Sequence, residues 1–399
     1  MPDLSVIYAG LEMKNPYIVG SGPISTDLNN LSSARAEKIM KRIAGSGWAG
    51  IVLKSATKYQ ALERSGPYLW SPHNKLLPDS LQNLGPWETR ISEKNLKKNI
   101  IIAKKVGLTV IANVLGTSHD EWASLCKSVE ECGADAVELN VSCPHSGHGL
   151  PLIGQEPSFL EEVLRLAKKE CSIPVIAKLP SIIVDIAAVA RAAERAGADA
   201  IAAINTVPGM VGIDIETGIP IHHDISNNAR YSGISGPSIK PIGLGYVAQM
   251  AAAVSIPISG IGGIRDWKDA VEFIMAGATT VQICTEVMMR GFGLGNNLVK
   301  GLSEFMNKKG YRRVEDFRRI SLKFIRTRME EMERRSKAVS YIDPTKCTGC
   351  QMCVTACADS VVEAIKMKGK LAIVDEGICV GCGLCGVVCP ASAVSFRKK

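Results

Sequence analysis

The stretch Cys132-Gly-Ala-Asp-Ala-Val-Glu-Leu-Asn140 decides the fold. Its glycine supplies the left-handed residue that ends a helix, and the apolar run behind it reads as a strand buried in a parallel sheet. The same punctuation returns at Ala196-Gly-Ala-Asp-Ala200 and Ala276-Gly-Ala-Thr-Thr280. Working outward, apolar strands are predicted at Tyr17–Ser21, Gly50–Lys54, Thr109–Asn113, Ala136–Asn140, Pro174–Lys178, Ala200–Asn205, Ile256–Ser259 and Thr280–Cys284. Alanine-rich segments with helical spacing, such as Ile186–Ala196 and Trp267–Met275, lie between most of them. This alternation predicts an α/β protein built as a (β/α)8 TIM barrel, with a doubly wound open sheet as the alternative.

A barrel demands that functional residues gather at the C-terminal ends of its strands. Ser21, Lys54, Asn113, Asn140, Lys178, Asn205, Gly262 and Cys284 fall there. Asn140 runs on into Val-Ser-Cys143-Pro-His145 and a glycine-rich loop that ends near Glu156. A cysteine after a strand is more often an inert small hydrophobe than a catalyst. Its place among these polar strand ends makes Cys143 a candidate for chemistry. Long loops follow strand two (Ser55 to about Ser92) and strand six (Val207 to about Ile239), and such loops wall pockets or form subunit contacts.

Eight of the thirteen cysteines fall between Cys347 and Cys389. They form the runs Cys347-x2-Cys350-x2-Cys353-x3-Cys357 and Cys379-x2-Cys382-x2-Cys385-x3-Cys389-Pro390. This is the bacterial two-cluster ferredoxin spacing, in which the fourth cysteine of each run ligates the other cluster. One [4Fe-4S] cluster is therefore assigned to Cys347, Cys350, Cys353 and Cys389, the other to Cys379, Cys382, Cys385 and Cys357. Zinc would call for two pairs of ligands instead. Residues 341–399 are expected to form a small α+β ferredoxin-like domain, joined to a barrel over 1–311 by a charged linker over 312–340 with a helix at Arg318–Arg335.

The formal charge of +8 is concentrated: Arg312–Lys337 holds ten basic against five acidic residues. That pattern predicts a solvated face or subunit contact rather than a nucleic-acid groove. No apolar run reaches the roughly 18 residues of a membrane span. Met1-Pro-Asp-Leu4 lacks the regions of a signal peptide, which predicts a cytoplasmic protein.

Ile258-Ser-Gly-Ile-Gly-Gly-Ile264 and Gln282-Ile-Cys-Thr285 occupy the usual phosphate-binding loops of such barrels. A phosphate-bearing cofactor beside an electron-transfer domain suggests a flavin, which exchanges hydrides and single electrons. Gly291-Phe-Gly-Leu-Gly295 is too late and too poorly placed for a dinucleotide fingerprint, so electrons from NAD(P)H require a partner.

Lys54-Ser55, Asn140-Val-Ser-Cys-Pro-His145, Ala177-Lys-Leu-Pro180, Ile204-Asn-Thr-Val207, Tyr231-Ser-Gly-Ile-Ser-Gly236, Gly262-Gly263 and Cys284-Thr285 together resemble the dihydroorotate/dihydropyrimidine dehydrogenase family. The resemblance covers nearly the whole barrel, and the ferredoxin tail extends it. It implies FMN bound by Gly20, Ser21, Lys54, Ser55, Lys178, Gly236, Ile261, Gly262, Gly263, Cys284 and Thr285. It also implies a pyrimidine held by Asn83, Asn140 and Asn205, with Ser142 and Thr206 beside them, and Cys143 as the general acid/base. His145, where dihydroorotate enzymes usually carry asparagine, favours uracil or thymine. The resemblance further implies a homodimer fed by an FAD- and NAD(P)-binding subunit. Alternatives are a dihydroorotate dehydrogenase or a reductase of another cyclic enone, then a non-catalytic electron relay or an RNA dihydrouridine synthase.

Overall fold

The computed structural model describes residues 2–22, 31–58, 69–70, 79–83, 89–90, 93–141, 156–223, 232–325 and 338–399. The chain forms two compact units, Met1–Phe324 and Ile325–Lys399.

In the first unit the strands are β1 (Tyr17–Val19), β2 (Gly50–Val52), β3 (Thr109–Val114), β4 (Ala136–Asn140), β5 (Val175–Lys178), β6 (Ala200–Ala203), β7 (Ile258–Ile261) and β8 (Thr280–Ile283). Each pairs in parallel with its neighbour, and β8 pairs with β1, so the sheet closes into an eight-stranded barrel. Helices surround it: α1 (Ser33–Gly45), α2 (Glu93–Lys105), α3 (His119–Glu131), α4 (Pro157–Glu170), α5 (Ile186–Arg195), α6 (Lys240–Ala253), α7 (Trp267–Ala276), α8 (Thr285–Arg290) and α9 (Leu294–Lys309). The open-sheet alternative is excluded by this closure.

The repeated Gly-Ala-Asp element has a physical reason. Gly133 and Gly197 take φ of +89° and +87°, which glycine adopts without a Cβ clash. The aspartate two residues on then clips the turn to the strand before it. Asp135 Oδ2 accepts from Val110 N–H at 2.8 Å, and Asp199 Oδ2 from Val175 N–H at 2.7 Å. Lys104 and Lys168 pair with the same carboxylates. Helix starts are capped in the same economical way, by Ser32, Ser118, Asp185 and Asp266.

Beyond the barrel strands, Val6–Tyr8 and Leu11–Met13 form a hairpin whose Tyr8 is fully buried and donates to Ile201 O. The long loops after β2 and β6 also gain order from each other. Leu81–Asn83 pairs with Ser232–Ser235, which pairs with Val207–Gly209. Gln82 staples all three segments, donating to Gly209 O and Ser232 Oγ while accepting from Val211 N–H.

The charged helix expected at Arg318–Arg335 does not form over its described part. Val314–Asp316 and Leu322–Phe324 are single 3-10 turns, and Phe317 is buried. Arg319 N–H and Ser321 N–H donate to Ile274 O and Met275 O at the end of α7. This segment is part of the barrel unit because its apolar residues and backbone donors find partners there; residues 326–337 lie outside the described set.

In the second unit Ala338–Ile342 pairs with Val394–Lys398, and Ile365–Lys368 with Leu371–Val374. Two short helices carry cysteines into the small core of Ile342, Ala364, Ile365 and Ala372: Met352–Asp359 brings Cys353 and Cys357, and Leu384–Val387 brings Cys385.

Candidate active site

The strand ends meet in one cleft at the C-terminal mouth of the barrel, enclosing about 1030 Å³ with open solvent included. Asn140 and Lys178 are the last residues of β4 and β5, adjacent in register. Ser21, Lys54, Asn205, Gly262 and Cys284 stand one or two positions past their strands. All of these line the cleft, as do Asn83, Thr206, Gly236, Ile261, Gly263 and Thr285.

Two expected residues stand off the wall. Ser55 is buried behind Asn140 and accepts from its Nδ2 at 3.2 Å, while Gly20 packs against Cys284 and Gln282. Ser142 and Cys143, with the loop Pro144–Gly154, lie outside the described residues.

The amides form a connected set. Asn205 Nδ2 donates to Asn140 Oδ1 at 3.3 Å, and its own Oδ1 accepts from Thr206 N–H at 2.8 Å. Asn83 Oδ1 accepts from Gly233 N–H, which ties the cross-loop strand Leu81–Asn83 to the cleft rim. Thr285 Oγ1 donates to Ser235 Oγ, closing the opposite side. Burial pushes the Cys284 thiol pKa up, against the pull of the Lys54 and Lys178 ammonium groups.

Cysteines of the two runs also come together. Cys357, Cys379, Cys382 and Cys385 line a single cavity of about 300 Å³, with Ser340 and Gly381. Ser340 Oγ lies 3.1 Å from Cys385 Sγ, and Ala393 N–H donates to Cys389 Sγ. Such contacts to sulfur stabilise a thiolate ligand and tune a cluster's potential.

A flavin mononucleotide fits what this cleft offers. A Cβ on Gly263 would stand 2.6 Å from Lys240 Cβ and 2.9 Å from Gly236 O, so only glycine lets the Gly262-Gly263 turn pack this closely at the cleft wall, where its backbone N–H groups can meet an anion. Ser21 Oγ and Gln282 Oε1, both on lining residues, are buried without a hydrogen-bond partner among the described residues. Lys54 and Lys178 supply positive charge suited to an electron-rich ring or a phosphate.

A dihydroorotate dehydrogenase family model matches residues 3–306, and a 4Fe-4S dicluster domain model matches 340–396. The chain belongs to the dihydroorotate dehydrogenase family. The NAD-dependent dihydropyrimidine dehydrogenase subunit PreA of Escherichia coli is 31% identical over 381 residues, covering 92% of this chain and 88% of the relative. The catalytic subunit of dihydroorotate dehydrogenase B (NAD(+)) from Pyrococcus abyssi is 37% identical over 322 residues, 80% of this chain and 99% of the relative. The chloroplastic dihydropyrimidine dehydrogenase (NADP(+)) of Arabidopsis thaliana is 32% identical over 364 residues, 85% and 81% respectively. This family member is therefore an oxidoreductase acting on CH–CH bonds, a flavoprotein that binds FMN and carries iron–sulfur clusters. Among the described residues no helix is long and apolar enough to cross a membrane.

Sequence reading missed Glu138 and Arg265, and it took Gln282 only as part of a phosphate-binding stretch. Arg265 lines the cleft beside Gly263 and faces Asp79 and Asp269. Glu138 and Gln282 are buried inside strands read as apolar. A lone acid within Ala-Val-Glu-Leu-Asn was the available signal, because an unpaired buried charge is prohibitively costly.

Proposed function

We propose that this protein interconverts a pyrimidine, uracil or thymine, and its 5,6-dihydro form. When bound, FMN supplies hydride exchange with the ring and single-electron exchange with the clusters. Asn83, Asn140 and Asn205 hold the ring's imide edge, since a carboxamide offers both the donor and the acceptor that edge requires. Ser142 and Thr206 add hydroxyl contacts. Cys143 holds the proton that C5 gains in reduction and takes it back in oxidation. A thiol with an ordinary pKa near 8.5 keeps that proton at neutral pH, as an acid should. The loop Pro144–Gly154 excludes water while the proton moves. Electrons reach the clusters, ligated as the two cysteine runs predict, from an FAD- and NAD(P)-binding subunit, and the catalytic chain works as a homodimer in the cytoplasm.

The observation that carries this reading is the grouping of Asn83, Asn140, Asn205 and Thr206 in one cleft with Lys178 and the Gly262-Gly263 turn. Similarity to PreA over both units supports the dihydropyrimidine choice. The higher identity with the dihydroorotate enzyme over the barrel supports orotate as the second reading. Anaerobic turnover with dithionite-reduced protein separates them: uracil and thymine should be reduced and orotate left unchanged. Cys143→Ala should lower the rate by about 10²–10⁴, the usual worth of a positioned acid. Undiminished activity in that variant would remove Cys143 from the mechanism.

A further inference from the structure

Glu138 lies at the centre of β4 with no exposed surface, inside the barrel and two residues before Asn140 on the same face. Three side chains from three strands converge on it. Asn113 Nδ2 of β3 donates to Oε1 at 2.6 Å, and Gln282 Nε2 of β8 donates to Oε2 at 2.7 Å across the barrel interior. Lys178 Nζ of β5 stands 3.5 Å from Oε1. Gln282 and Lys178 both line the cleft, whereas Glu138 does not. The carboxylate thus lies behind the floor of the site and touches two residues that form it.

An ionised carboxylate only accepts hydrogen bonds. Both neighbouring carboxamides must therefore turn their NH2 groups toward it, which leaves their carbonyl oxygens facing elsewhere. Asn113 Oδ1 and Gln282 Oε1 are indeed buried without partners among the described residues. A packed barrel interior needs none of this, because apolar side chains fill such layers at lower cost. An ion pair at this depth makes sense as the support of something the cleft holds.

We propose that Glu138 is a positioning residue that fixes Lys178 and Gln282 in the wall of the cleft that would hold the flavin and offsets the lysine's charge there. It presents Gln282 Oε1 as an acceptor, and it moderates how strongly Lys178 favours the anionic reduced ring over the oxidised one. The inference rests on the FMN-binding reading of the cleft, and it adds a residue that contacts neither cofactor nor substrate.

The test uses the full chain loaded with FMN under anaerobic conditions at neutral pH. Flavin absorbance first shows whether FMN binds at all, and failure there counts against the FMN-site reading alone. The measured quantity is then the ratio of affinities for reduced and oxidised FMN, obtained from the flavin midpoint potential against that of free FMN. Glu138→Gln keeps the shape and removes the charge. The ratio should rise about tenfold, which for a two-electron couple is about 30 mV upward. A folded Glu138→Gln protein with an unchanged or lowered ratio overturns the proposal. Glu138→Gln/Lys178→Gln removes both charges and serves also if the single variant does not fold. Its ratio should match that of Lys178→Gln within threefold, because Glu138 acts through the lysine. A larger difference would show that Glu138 acts independently and would overturn the proposal too.

Discussion

Gly263→Ala tests the cradle at the mouth of the barrel. Gly263 has φ of +71°, and an added Cβ would come within 2.6 Å of Lys240 Cβ, 2.8 Å of Lys240 N and 2.9 Å of Gly236 O. Two of these atoms are backbone, so no side-chain rotation relieves the contact. The left-handed conformation costs an L-residue about 1–2 kcal/mol, and overpacking adds roughly 1–3 kcal/mol. The turn can escape most of this by moving away from Lys240, and that movement disturbs the surface expected to meet the FMN phosphate. At 1.4 kcal/mol per factor of ten, FMN affinity should fall on the order of 10–100-fold. Gly245→Ala in α6 is the control, since among the described residues nothing lies within 4 Å of its added Cβ. A helix-interior glycine gains about 0.5–1 kcal/mol from alanine, so that variant should be slightly stabilised with unchanged affinity. Flavin fluorescence titration of the apoprotein gives the dissociation constants, and thermal unfolding reports the stabilities. A Gly263→Ala protein that binds FMN within twofold of the wild type would refute the close-approach argument.

Three further outcomes follow from the structure. Replacing Cys357 by alanine should cost the cluster shared with Cys379, Cys382 and Cys385, leaving about half the iron and a single [4Fe-4S] signal in reduced electron paramagnetic resonance spectra; full iron content would break the cross-run assignment. Gln82→Leu strands the buried Ser232 Oγ and the half-buried Gly209 O and Val211 N–H, so urea unfolding should show a loss of about 1–3 kcal/mol, and a neutral result would deny Gln82 its stapling role. Glu194 of α5 accepts from Ser255 N–H and Oγ and from Ile256 N–H; burial works to raise its pKa, but these bonds outweigh it and hold the group below the ordinary carboxylate value. With the folded pKa depressed, its contribution is present above the unfolded value near 4.3 and fades as pH falls through the folded one, so Glu194→Gln should flatten that part of the acid limb in urea titrations between about pH 6 and 3.

The barrel was legible because its signals are local. A glycine that ends a helix, an aspartate two residues later and a mostly apolar strand form one short word, and the two copies that carry the aspartate, at Asp135 and Asp199, fold by the same contacts. The strand-end residues Asn140 and Lys178 were legible for a related reason: the fold class says where a strand's last residue points. The pairing of Leu81–Asn83 with Ser232–Ser235 was not, since each loop acquires its strand only from the other. Nor was the fate of Arg318, whose charge suggested a solvated helix while Phe317 beside it needed burial.

Glu138 shows where such reading stops and why. Inside Ala-Val-Glu-Leu-Asn it is an acid in an apolar strand, and nothing within the strand can satisfy it. Its partners Asn113 and Gln282 stand 25 and 144 residues away, and Gln282 becomes a neighbour only because the barrel closes. Desolvating a carboxylate and an ammonium costs several kcal/mol per ion, recovered only when geometry and extra hydrogen bonds are good. Here the two amide donors provide those bonds, so the charge is tolerated but hardly explained by stability. Two of the four side chains in the group line the cleft, and Gln282 keeps an acceptor without a partner among the described residues. The expense is intelligible if the barrel interior is organised for the ligand above it, and the coupling between Glu138 and Lys178 is where that organisation can be measured.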